Sequence, residues 1–352
     1  MSRLVGMLAV MLAMVPVVPL HAGKPLVIAH RGASAERPEH TLSAYERAIE
    51  QGADYIEPDL VVTKDLVLVS RHENELSDTT DVASREEFES RRREKTIDGQ
   101  RVNGWFAEDF TLEELRTLRA KERLPNLRPG NARYNGLYQV PTLQEIVALV
   151  RAKEAETGRR IGLIPEIKHP TFFLQAEGID MVDLLLKEFR TLGVTAQDPV
   201  YIQSFDAAPL GRLRQRSDFK LVLLVKPDGG PEDEPGLRYA EMVTPTGLAE
   251  VATFADAVGA HVGMLLGPDG SPTSLVADAK AAGLQVFAWT IRPENDFLPA
   301  QLRSGSDPAG VGCGDVVLAG LLTAAGVDGY FTDKSLAGRK CNTAMIAAGA
   351  DR

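Results

Sequence analysis

The sequence predicts an α/β chain folded as a TIM (β/α)8 barrel with a small insertion on an early βα loop. Three observations predict it. Eight short apolar runs alternate with helical patterns between residues 26 and 333, the rhythm of parallel β/α architecture. The first run leads into HRGAS (30–34), which is no glycine-rich nucleotide loop, so a doubly wound open sheet is only the runner-up. Ionisable residues also gather at the ends of the runs, where a barrel would bring them to one rim.

In order, the predicted strands are 26–29, 54–60, 66–71, 161–167, 200–205, 220–225, 284–291 and 327–333, with a weaker run at 260–266 readable as strand or loop. The first helix begins at Thr41, repeats apolar positions at Leu42, Tyr45 and Ile49, and stops at Gly52. TLEE (111–114) and TLQE (142–145) each place glutamate three residues after threonine, the capping-box spacing. Residues 77–140 break the alternation and read as the insertion. The charge run SREEFESRRREK inside it reads as a solvated helix face rather than a binding patch. Two further long loops, 226–236 and 292–312, also follow strands. In a barrel such loops sit at the rim that carries function.

Residues 1–22 carry one positive charge at Arg3, a long apolar run and a small residue at Ala22, the layout of a secretory signal peptide. Pro16 and Pro19 interrupt the run, which suits neither a membrane span nor stable membrane insertion. The expected organisation is therefore a signal peptide (1–22), a barrel domain (23–341) and a tail (342–352), exported and periplasmic. The formal net charge of −10, one unit more negative without Arg3, argues against nucleic acid or an anionic membrane surface as partner. Cys313 and Cys341 could pair in an oxidising compartment; their spacing is that of neither a metal site nor a redox motif.

Strand one ends in His30 and Arg31, strand two carries Glu57 and Asp59, the third run ends at His72, and strand four carries Glu166 and Lys168. Alternate residues of a strand share a face, so Glu57 lies with Asp59 and Glu166 with Lys168, while Ile56, Pro58, Leu60, Pro165 and Ile167 turn to the helix layer. Three carboxylates at a barrel mouth repel unless a cation neutralises them, and an all-oxygen set suits calcium or magnesium. An ExD pair on a strand is commonly an edge facing water, and HRG alone is ordinary loop chemistry; joint occurrence in rim order is what points to a site. His40, His169 and His261 are read as structural. Trp289 reads equally as a core tryptophan or as an apolar wall for part of a substrate.

The block VIAHRGASAERPEHTLSAYERAIEQGADYIEPDLVVTKD, followed by HENELSDTTDV, PEIK, QSFD, AWTI and DGYFTD, resembles the glycerophosphodiester phosphodiesterase family from about Leu26 to Asp333. The resemblance implies a TIM barrel with a small insertion and metal-dependent hydrolysis of glycerophosphodiesters to glycerol 3-phosphate and an alcohol. By position, His30 and His72 match the family's acid/base pair, Glu57, Asp59 and Glu166 its metal ligands, and Arg31 and Lys168 its phosphate-contacting cations. One divalent cation is expected, calcium ahead of magnesium, and a small-molecule glycerophosphodiester as partner. The chain departs from the commonest pattern at His40, Glu73 and Arg292, which bears on the shape of the pocket. A phospholipase acting on intact lipids would want an apolar rim loop, and the rim loops are Pro/Gly-rich and acidic. A non-catalytic binding protein would not need both histidines.

Overall fold

The structure is a computed structural model that describes residues 23–335. The expected signal peptide, the tail and Cys341 lie outside the described residues. Cys313 lies just before the helix Gly314–Ala325.

In chain order the strands are β1 (Leu26–His30), β2 (Tyr55–Glu57), β3 (Asp59–Val62), β4 (Leu68–Ser70), β5 (Arg93–Ile97), β6 (Gln100–Gly104), β7 (Gly162–Leu163), β8 (Glu166–Ile167), β9 (Tyr201–Ser204), β10 (Lys220–Val225), β11 (Ala257–His261), β12 (Gln285–Ile291) and β13 (Gly329–Thr332). β1 pairs in parallel with both β2 and β13. β2 continues to β7, and β3 to β8 and then β9. β9 to β13 follow one another in parallel. Helices such as Leu42–Glu50, Leu143–Thr157, Met181–Leu192 and Ala207–Arg216 connect them. The fold is of the TIM-barrel type.

Side-chain alternation separates two apolar layers. Ile28, Ile164, Val222, Leu224, Phe287 and Phe331 pack together on one face of the curled sheet. Val27, Ala29, Ile56, Leu60, Ile167 and Val258 join the helices on the other. Each such buried aliphatic or aromatic side chain contributes ~1.5–3 kcal/mol relative to exposure. The expected caps are present: Thr41 accepts from Ala44 N–H, and Thr111–Glu114 and Thr142–Glu145 form complete capping boxes.

The strand predictions need three corrections. The run 66–71 is no barrel strand, because β4 pairs antiparallel with β3 and doubles back on it. The parallel position is filled by β11, which begins earlier than the weak run at 260–266. Its Ala257-Val258-Gly259-Ala260 has too little bulk to stand out as an apolar strand. Runs 54–60 and 161–167 are each broken near a proline, Pro58 and Pro165, which have no N–H for the ladder. Their carbonyls still accept, from Glu166 N at 3.0 Å and Gln203 N at 2.9 Å.

The charge run near residues 84–95 is not a helix face but a 3-10 turn (Glu86–Arg91) leading into the β5–β6 hairpin. Its cations are paired: Arg91 with Glu114, Arg93 with Asp109, and Lys95 with Glu108 and with Glu177 beyond the stretch.

Candidate active site

One small cavity of about 70 Å3 is lined by His30, Arg31, Glu57, Asp59, His72, Glu166 and Trp289, together with Phe205, Leu224 and Arg292. Lys168 is tied to it through Glu166, its Nζ 2.8 Å from Glu166 Oε1. All eight residues singled out in the sequence therefore meet at one place. A larger groove of about 330 Å3 beside the helix Gly314–Ala325 is mainly apolar, with Asp269 as its ionisable lining residue, and has no comparable chemistry.

β1 delivers His30 opposite Glu57 of β2, and β3 sets Asp59 opposite Glu166 of β8. Arg31 follows β1 with φ +57°, a left-handed conformation that costs a non-glycine residue ~1–2 kcal/mol. In return its backbone N–H reaches Glu57 Oε2 at 3.0 Å. Gly32, at φ +84°, lets the chain turn against the first helix; a Cβ there would meet the Ala44 carbonyl carbon at 2.7 Å. His72 arrives by another route. β4 returns antiparallel over β3, Arg71 N–H bonds the Asp59 carbonyl at 3.0 Å, and the next residue is brought to the mouth.

Glu57, Asp59 and Glu166 each offer a carboxylate oxygen, all within 4.8 Å of one another and all buried, the one such cluster among the described residues. Burial and the charges of its neighbours push Glu57 well above the usual carboxylate range and Glu166 up to about 7, Lys168 opposing the rise. Asp59 Oδ1 and Gln203 Oε1 are buried with no hydrogen-bond partner, while Gln203 Nε2 donates to Glu57 Oε1 at 2.9 Å. Oxygen donors left unsatisfied beside repelling carboxylates are what a hard divalent cation requires.

Each of the two histidines has a carboxylate on Nδ1. His30 Nδ1 lies 2.5 Å from Asp333 Oδ1, and His72 Nδ1 contacts Glu73 Oε1. Burial and the Arg31 charge lower His30 to about 4, against the pull of Asp333. Burial, Arg31, Lys168 and Arg123 likewise hold His72 well below its ordinary value. Arg31 Nη1 donates to Glu39 Oε1 at 3.2 Å, and its buried Nε makes no hydrogen bond but lies 3.8 Å from Asp59 Oδ2. Trp289 is half-buried, donating from Nε1 to the Gly259 carbonyl at 2.9 Å and standing edge-on to Phe205.

The sequence matches the Glycerophosphoryl diester phosphodiesterase family over residues 30–337. The chain belongs to this family. It is 34% identical over 331 residues to a glycerophosphodiester phosphodiesterase of Arabidopsis thaliana, covering 90% of this chain and 85% of that one. A glycerophosphodiester phosphodiesterase of Haemophilus influenzae is 30% identical over 337 residues, covering 88% and 87%. Among solved structures, a glycerophosphoryl diester phosphodiesterase from Silicibacter pomeroyi shares the fold with a TM-score of 0.62 at 23% identity, covering 90% of this chain and 92% of that one. An Oleispira antarctica phosphodiesterase solved with the product sn-glycerol-3-phosphate does so with a TM-score of 0.56 at 20% identity, covering 93% and 97%.

Around this candidate site stand residues that sequence reasoning missed. His40, read as structural, is fully buried with Nε2 2.9 Å from Asp59 Oδ2. Asp333 closes the DGYFTD block and Gln203 lies in QSFD; both blocks were noticed, but nothing in them showed which side chain faces the mouth. Arg123 and Arg128 carry no motif at all. His169 and His261 stay outside the site, His169 paired with Asp98 and His261 accepting from Gly263 N–H.

Proposed function

We propose that this chain hydrolyses glycerophosphodiesters to glycerol 3-phosphate and a free alcohol with a divalent cation and a pair of histidines. The observation that carries the reading is the meeting of three carboxylates, two histidines and Arg31 in one cavity of a chain from this family, with Lys168 paired to Glu166. Glu57, Asp59 and Glu166 would hold the cation, calcium in preference to magnesium, since three buried carboxylates beside neutral oxygens form an oxygen-rich cage. When bound, the ion supplies positive charge against the phosphoryl oxygens.

The protein's own groups do the rest. Arg31 offers its guanidinium to a phosphate oxygen, its Nε having no hydrogen bond to satisfy it, and Lys168 adds a point charge. With Nδ1 taken by a carboxylate, each histidine uses Nε2 toward the substrate. One removes the proton from the glycerol hydroxyl beside the phosphate, whose oxygen bonds phosphorus as the bond to the alcohol breaks. The other gives the departing oxygen its proton. Water then opens the cyclic phosphate by the reverse proton traffic. Phe205 and Trp289 give the glycerol an apolar wall.

The chain is further proposed to be made with a signal peptide over 1–22 and to act in the periplasm, its barrel spanning 23–341 and the stretch 77–140 inserted between early elements. The succession of pairings from β1 around to β13 supports a closed eight-strand barrel. The deciding experiment is glycerol 3-phosphate release from glycerophosphocholine by the mature chain, stripped with chelator and resupplied with calcium or magnesium. Loss on stripping and return with calcium supports the reading; no release with either ion from folded protein discards it.

A further inference from the structure

Two arginines between β4 and β7 stand behind the two histidines in matching ways. Asp333 gives Oδ1 to His30 Nδ1 and Oδ2 to Arg128 Nη2, both at 2.5 Å. Glu73 gives Oε1 to His72 Nδ1 and Oε2 to Arg123 Nη2, the latter at 2.5 Å. In each case the histidine takes one carboxylate oxygen and an arginine takes the other. We propose that the stretch 122–131 is a bracket that orients both histidines, Arg128 through Asp333 for His30 and Arg123 through Glu73 for His72. The proposal rests on the acid/base reading of the two histidines and gives the 77–140 stretch a part in the chemistry.

The physical case is that a carboxylate holding an imidazole by one oxygen can still rotate or take up a proton. An arginine on the second oxygen fixes its plane and keeps it ionised, so Nδ1 keeps its proton and Nε2 faces the reaction. Arg128, Arg292 and His30 together hold Asp333 well below the carboxylate range despite its burial. Arg128 is itself saturated: Nε and Nη2 grip Glu294 at 2.7 and 3.2 Å, and Nη1 donates to the Ser34 carbonyl at 2.9 Å. Arg123 also forks onto Glu39 at 2.8 Å, the carboxylate that holds Arg31.

The bracket is stiff. Arg128 N–H returns to the Leu124 carbonyl at 2.8 Å, and Leu124 N–H to Glu122 Oε1 at 2.8 Å. Asn131 ties Glu122 to the Ser34 carbonyl, in the loop that follows His30. The other charges facing the rings are Arg31 and Arg292 at His30, and Arg31, Lys168 and Glu39 at His72. None of these lies between residues 122 and 131; Arg128 therefore bears on His30, whereas Arg123 bears on His72 directly and, through Glu39, on the Arg31 that faces both rings.

The test uses the whole mature chain carrying Arg128→Ala or Arg123→Ala. Ring nitrogen resonances of His30 and His72, assigned with single histidine variants, are read beside kcat and KM for glycerophosphocholine. Arg128→Ala is expected to move His30 out of its Nδ1–H form while His72 stays, and Arg123→Ala to move His72 clearly more than His30, which it reaches only through Glu39 and Arg31. Outer partners of this kind change activity on the order of 10- to 100-fold; for Arg128→Ala the loss should fall on kcat, with KM within about threefold and partial rescue by added guanidinium. A packing role would disturb both rings alike or neither, and either result overturns the proposal. If Arg128→Ala does not fold, Arg128→Lys is read in the same way, because lysine keeps the charge but cannot span Glu294, Asp333 and Ser34. A wild-type chain inactive on every diester would sink the acid/base reading, while the ring resonances would still decide the bracket.

Discussion

His40 Nε2 lies 2.9 Å from Asp59 Oδ2, and its Nδ1 lies 2.7 Å from Tyr45 Oη. Burial keeps this histidine neutral, so it is Nε2–H that donates to Asp59. Nδ1 then accepts from Tyr45, whose oxygen can accept in turn from Ser70 at 2.8 Å. Three buried residues thus aim one carboxylate. Removing such an outer partner costs on the order of 10- to 100-fold in metal affinity. His40→Ala is expected to weaken calcium binding by that amount in titration calorimetry. His40→Asn should retain part of it, since asparagine tolerates the φ of +53° at this position.

The acidic cluster sets activity against stability. Because Glu57 and Glu166 are raised above their unfolded values, holding them ionised without a cation works against folding as pH rises from about 4.5 toward and beyond 7. Glu57→Gln is expected to raise the melting point of the chelator-treated protein at pH 8 by about 2–4 °C while abolishing metal-dependent hydrolysis. Thermal scans with and without chelator check both halves. An unchanged or lower melting point would mean that the carboxylates do not oppose one another.

Away from the mouth, Glu122 is pushed up to about 7 by burial. Its folded value lies above the ordinary 4.5, so the folded chain binds this proton more tightly than the unfolded chain does. Stability is then lost as pH rises through that window. Denaturant midpoints at pH 5 and pH 8 should differ less in Glu122→Gln than in wild type.

Gly32→Ala is expected to destabilise the chain by about 2 kcal/mol or more, through positive φ and the approach to Ala44. Because the turn also sets Arg31, substrate KM should rise in whatever protein folds. Urea unfolding and steady-state kinetics read the two effects separately.

The eight site residues were legible because strand alternation makes chemistry periodic, and ExD, ExK and HR can be read along one chain. What surrounds them was not. Arg123 and Arg128 reach Glu73 and Asp333 only through the fold, and residues 128 and 333 have no relation in sequence that a pattern could carry. His72 lines the cavity by a route other than the expected one, since an apolar run does not say whether a strand runs parallel or turns back. β11 was nearly missed because alanine and glycine give little hydropathy signal. The three departures from the commonest family pattern all lie at the candidate site: His40 on Asp59, Glu73 on His72, and Arg292 near Asp333 at 3.5 Å.

Ser70 N–H meets the Pro141 carbonyl at 2.9 Å, and Val69 bridges Thr142, so the end of β4 lies beside the start of the helix Leu143–Thr157 and the stretch between them begins and ends at one spot. Where such a stretch is only loop it can be lengthened or trimmed by inheritance at small thermodynamic expense, since doubling a flexible loop costs only ~0.6 kcal/mol; elsewhere it is pinned, as by Lys64 N–H on the Phe110 carbonyl and Lys95 on Glu177. Its freedom ends where two guanidinium groups look inward. Lineages that remodel this stretch are therefore expected either to keep two cations at those places or to find new guardians for the histidines.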